Sequence, residues 1–179
     1  MNGLRVAIVE EHEMQTFTKD IVIDIKVRDL CFKPYANHPK GCPNFGKRAT
    51  CPPQCKLLAD VFDLDKGFWI VWIEFNFESH VNRMCKNHPD WTQRQLECCL
   101  YWQGQANKNL RVEIQDVGYY LQGRGVWKVT TCPEAMGVNV TETMKKIGIE
   151  LEWPPKKIVR KVAMFGQLKL TGDHGCSCQ

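Results

Sequence analysis

Hydrophobic and polar positions alternate along this chain in two rhythms. Residues 4–9 (Leu-Arg-Val-Ala-Ile-Val) read as a short strand. From 20 to 30 the alternation is regular. Ile21, Ile23, Ile25 and Val27 fall on one face, and Asp20, Asp24, Lys26 and Arg28 fall mostly on the other. Period two with β-branched residues predicts a half-buried strand that runs into Cys31. Residues 67–77 (Gly-Phe-Trp-Ile-Val-Trp-Ile-Glu-Phe-Asn-Phe) carry the strongest strand pattern. The first half is apolar on both faces, which predicts a central strand. Residues 126–131 predict a strand that delivers Cys132. Residues 149–153 predict a short strand, and 157–170 a long strand or a hairpin around Gly166.

The helical rhythm lies between these. Lys56–Leu64 has helical spacing, entered through Pro52 and Pro53, which need no helical donor there. Residues 78–88 predict a helix that ends before Pro89. Asp90 is the expected N-cap of the next, from Trp91 to about Asn107, with Gln93 as a weak capping box. Lys108–Leu121 continues the pattern, with Gly104 either tolerated or marking a break. Asn139 or Thr141 is expected to cap a helix to Lys146, stopped by Gly148. The expected fold is α/β or α+β. It is a single domain over 1–171, with a central mixed sheet of four to six strands, helices and a Cys/Gly/Pro loop. Residues 172–179 are expected to form a flexible tail.

Composition narrows the classes. A chain of 179 residues can bury a full core without staples. Ten cysteines in that length fall short of the roughly 8–10% of a disulfide scaffold. The run Leu4–Val9 meets Glu10, Glu11 and Glu13 and lacks the features of a secretory signal. No apolar run approaches ~20 residues. The expected compartment is therefore a reducing cytosol, with no membrane association and with thiols available to metals. The net charge of +4 permits a polyanionic partner without arguing for one, and no DNA-binding motif is present.

The cysteines carry the chemistry. Cys31, Cys42, Cys51 and Cys55 are interleaved with Gly and Pro, with ten, eight and three residues between successive members. These spacings are not the Cys-x-x-Cys pairs of zinc fingers, nor the runs of ferredoxins. Thiolates are the preferred ligands of zinc, copper(I) and iron–sulfur centres.

The segment Gly41-Cys42-Pro43-Asn44-Phe45-Gly46 … Cys51-Pro52-Pro53 resembles the signature of a widespread, mostly prokaryotic family of predicted metal-binding proteins, a domain of unknown function. That signature reads Cys, then Cys-Pro-x-aromatic-Gly, then Cys-Pro-Pro. A second island, Cys132 with Pro133-Glu134-Ala135-Met136-Gly137-Val138-Asn139-Val140, resembles a later element of the same family. The gap from Cys31 to Cys42 is longer than that pattern has. The resemblance implies a metal or cluster site and no particular reaction.

The expected ligands are Cys31, Cys42, Cys51 and Cys132, with Cys55 as the alternate. Four thiolates satisfy a [4Fe–4S] cluster or a closed zinc site. The long spacings and the aromatic neighbours Phe32, Tyr35 and Phe45 favour the cluster, with Lys47 and Arg48 expected to tune it. Glu134 is a candidate acid or base beside the centre, or a cap of the following turn. Cys98 and Cys99, adjacent on a helix, point about 100° apart and do not chelate one ion easily; Cys85 is ambiguous. His174, Cys176 and Cys178 form a candidate metal-handling or resolving arm.

Other chemistry is thin. There is no Gly-x-Ser-x-Gly, Walker loop or dinucleotide fingerprint. Trp91, Arg94, Tyr101, Trp102, Lys108 and Arg111 mix aromatics with cations, as in single-strand binders; an amphipathic helix with an aromatic core stripe is the favoured account of them. Lys156, Lys157, Arg160 and Lys161 read as a solvated strand face. The favoured function is a cytosolic [4Fe–4S] protein, an enzyme handling sulfur on a small molecule or an RNA base. One alternative is a zinc-stabilised module that binds RNA or protein. Another is a redox or metal-delivery protein using Cys176 and Cys178.

Overall fold

A computed structural model describes residues 14–34 and 39–169. Its frame is a sheet of β1 (Gln15–Thr18), β2 (Phe68–Asn76), β3 (Trp127–Thr130) and β4 (Ile158–Gln167), in the order β1-β2-β4-β3. All three pairings are antiparallel. The fold is therefore α+β, with an antiparallel sheet where a mixed one was expected. The helices are α1 (Leu58–Val61), α2 (Phe77–Asn87), α3 (Gln93–Leu96), α4 (Gln103–Tyr120) and α5 (Val140–Lys146). Short 3-10 turns cover Ile25–Cys31, Leu64–Lys66, Cys99–Tyr101 and Pro133–Met136. Among the described residues no helix is long and apolar enough to cross a membrane.

β2 is the central strand that its apolar run predicts, paired with β4 from Phe68↔Gly166 to Asn76↔Ile158. Phe68 and Ile70 join Met164 on one face, where α1 and α5 cover them with Leu58, Val140 and Met144. Val71 and Ile73 join Ala163 and Phe165 on the other, under Ala106, Leu110, Val117 and Leu121 from α4 and its end. Both faces of the strand are covered, so both had to be apolar. Gly166 makes the first face possible. A Cβ there would stand 2.6 Å from the ring of Phe68 and 2.7 Å from that of Phe62.

Several elements differ from the sequence expectation. The alternating segment 20–30 is not a strand. It makes a single bridge, Ile23↔Val138, and then turns into the 3-10 segment Ile25–Cys31. The Asp24 side chain accepts from the Lys26 amide at 3.0 Å, which starts the turn. Ile23 and Ile25 stay about half exposed, at 47% and 54%, and among the described residues their one bridge is that of Ile23. The first strand of the sheet is instead β1, upstream. The expected strand 4–9 lies outside the described residues.

The helix expected from Trp91 to Asn107 breaks at 97–102, not at Gly104. Trp102 turns inward to stack on Phe75, with ring centroids 5.5 Å apart, and its indole donates to the Glu97 carbonyl at 3.3 Å. α4 then runs unbroken through Gly104 to Tyr120. Thr92, not Asp90, caps α3, because Gln95 accepts from both the Thr92 amide (2.9 Å) and its hydroxyl (2.8 Å). Residues 149–153 form no strand; Ile149 closes the end of α5 by donating to Met144 at 2.9 Å. β4 is one strand through Gly166, not a hairpin.

Candidate metal centre

The first cysteine island is held by backbone bonds rather than by a helix or a strand. Cys31 ends its 3-10 turn, and its carbonyl accepts from the Cys42 amide at 2.7 Å. Gly41 permits that closure. Its φ is +75°, and a Cβ there would lie 2.8 Å from the Phe32 carbonyl and 2.9 Å from the Cys31 oxygen. Gly46 then donates to the Pro52 carbonyl at 2.9 Å, and Cys55 to that of Cys51 at 3.0 Å. Phe32 and Phe45 meet edge to face across the loop at 5.7 Å.

The second island is clamped to the segment that leads into Cys31. Asp24 donates to the Gly137 carbonyl at 2.9 Å, and Asn139 to that of Val22 at 2.8 Å. Val22 in turn donates to the buried Thr143 hydroxyl at 3.0 Å. Met136 and Val138 enter the core beside Met144. The turn after Cys132 is thus fixed by packing, and the two cysteine islands are neighbours in space.

The thiols register that convergence. Burial raises the Cys31 thiol, and Cys42 and Cys51 raise it further. Burial also raises Cys132, with Glu134 and Cys51 adding to the rise, and the Thr131 hydroxyl and Lys161 opposing it. Cys55 is raised by burial, with smaller upward contributions from Cys132 and Cys51 and an opposing one from Arg28. All five are partly buried and free. Among the expected ligands, Cys51 lies within electrostatic reach of Cys31, of Cys132 and of the alternate Cys55, and Cys42 within that of Cys31. They are gathered without being closed: among the described residues, no group of three or more His, Cys, Asp or Glu side chains is arranged to hold a metal ion. The donor chemistry, thiols from two segments, suits zinc or an iron–sulfur centre.

Two cations near the thiols were missed in the sequence. The Arg28 guanidinium donates to the carbonyls of Cys55 (2.8 Å) and Pro53 (3.5 Å), tying the loop's end to the turn before Cys31. Lys161 does not lie on a solvated strand face. It is half buried, bonds the Asn107 side chain, and is influenced by Cys132, Glu134 and Cys99. Burial lowers its pKa, against the pull of those groups. The expected tuners, Lys47 and Arg48, are exposed. Neither missed contact has a local signal, because each joins residues far apart in the chain.

Glu134 remains exposed. Protein around its carboxyl still desolvates the charge and raises its pKa, with its own amide and Lys161 opposing. It lies within electrostatic reach of Cys132 and Lys161. Cys98 and Cys99 are half buried and Cys85 is exposed. Tyr35, His174, Cys176 and Cys178 lie outside the described residues. No family model, curated protein or solved structure matches the chain.

Proposed function

We propose that this chain is a cytosolic iron–sulfur protein. Its cluster is held by Cys31, Cys42, Cys51 and Cys132, with Cys55 in reserve. The observation that supports this is that the two islands are bonded to each other through Asp24, Gly137, Val22 and Asn139, which puts Cys132 within electrostatic reach of Cys51 and Cys55. A thiol-only set of this size matches the ligand demand of a [4Fe–4S] centre. Held by all four thiolates, such a cluster would supply redox capacity; were Cys132 not a ligand, one iron would be left open to take sulfur from a small molecule or an RNA base. The protein's own contributions are distinct. Arg28 anchors the loop, Lys161 places a positive charge beside Cys132, and Glu134 offers a carboxyl that holds a proton more readily than usual. Because metal closes the gathered thiols, loading releases their protons and rigidifies the loop.

Anaerobic purification followed by metal and acid-labile sulfide analysis tests this. Brown protein containing iron and sulfide is the expected result. Colourless protein with one zinc ion removes the cluster and leaves the zinc-stabilised alternative.

A further inference from the structure

A second site lies at the far end of β2. A cleft of about 580 Å³ opens between α2 and the start of α4, lined by Phe75, His80, Arg83, Tyr101, Trp102 and Gln105, among others. That volume falls within the roughly 300–1,000 Å³ of small-molecule sites. His80 is only 2% exposed. Its Nδ1 faces the Arg83 guanidinium at 3.2 Å. A guanidinium can only donate, so Nδ1 accepts and the ring proton sits on Nε2. Nε2 is buried and has no partner among the described residues. An unmet buried donor costs about 1–3 kcal/mol. Natural cores rarely carry that cost without a water or a ligand to meet it.

The rest of the wall restricts what that ligand is. Phe75 and Trp102 stack at 23°, and Trp102 meets Phe77 edge-on. Tyr101 is 52% exposed and rests against Trp91 at 5.1 Å, leaving a ring open at the mouth. No Asp or Glu lines the cleft, and Arg83 is its one charged lining residue. Among the described residues Arg83 has no ion-pair partner; the ion pair found there joins Arg160 to Glu74. An aromatic cage for a cation would carry a carboxylate. This one carries a guanidinium.

We propose that this cleft binds a nucleotide, with its base on the aromatic wall and its phosphate on Arg83, the rings shifting on binding so that a base carbonyl reaches His80 Nε2–H, which is closed to solvent in the free protein. Gln105 lies on the same wall, and its amide already donates to Asn109 at 2.7 Å, which leaves its oxygen for an exocyclic amine. Aromatic stacking with one phosphate contact is shared by free nucleotides and single-stranded RNA. The cleft shares no lining residue with the metal centre.

The test is a calorimetric titration of the full chain with UMP, AMP and single-stranded U8 and A8. Binding of a mononucleotide as tight as that of the oligomers assigns the site to free nucleotides; binding of the oligomers alone assigns it to RNA. R83A and H80F should each weaken binding about tenfold. R111A, on α4 but outside the cleft, should leave it unchanged. Arg83 is exposed, so R83A keeps the test valid should H80F fold poorly. A shift of the His80 Nε2–H resonance on ligand addition reports the contact in the unaltered protein. Absence of binding by all four ligands, or binding equal in wild type and R83A, overturns the proposal.

Discussion

Gly41 is where the candidate centre depends most on a single backbone angle. G41A forces a side chain into a left-handed residue and against the carbonyls of Phe32 and Cys31. It should cost about 1–3 kcal/mol in urea unfolding and lower metal content, because the Cys42 amide can no longer reach Cys31. His80 gives a pH signature. Burial and Arg83 hold its pKa below the usual value, so the unfolded chain takes up that proton first as pH falls. Its contribution is present above about pH 6.5 and is lost as pH drops through the lower folded value. The urea midpoint of wild type should fall between pH 7 and pH 5 more steeply than that of H80F; parallel profiles would exclude the effect. At this scale the sequence revealed residues whose chemistry is local. Thiols set among Gly and Pro announce themselves. Arg28 and Lys161 do not, because one grips a carbonyl far along the chain and the other reaches from β4 to Asn107 on α4.

Among the elements, β2 was readable because burial on both faces leaves an apolar run that little else explains. The segment 20–30 misled for a related reason. Period two marks a strand only if another strand is available to pair with it, and here Asp24 starts a turn after one bridge. The break before α4 was hidden because Trp102 obeys helical spacing while its ring is drawn to Phe75. Gly166 left a long strand or a hairpin open, and it is a packing allowance within one strand. G166A should destabilise by about 1–3 kcal/mol, since the rings of Phe62 and Phe68 occupy the space a methyl needs; a calorimetric melt reads it. M144A, which empties a fully buried position behind the second island, should cost about 2–5 kcal/mol and loosen the support of Cys132.

For the whole molecule, the sequence outlined an α+β chain with a cysteine loop and a distant partner cysteine. The structure adds how they meet. Ile23 bridges Val138, Asp24 and Asn139 lock the two segments together, and the core holds the second island in place. The division of labour between Cys132 and Cys55 could not be read from spacing, since both fall within electrostatic reach of Cys51 in the fold. It is decided by the iron and sulfide content of anaerobically prepared C132S beside wild type and C55S. C132S should lose most of its iron and sulfide, with a melt close to that of wild-type protein stripped of metal, while C55S keeps both. Full iron and sulfide in C132S would contradict a centre closed across the two islands.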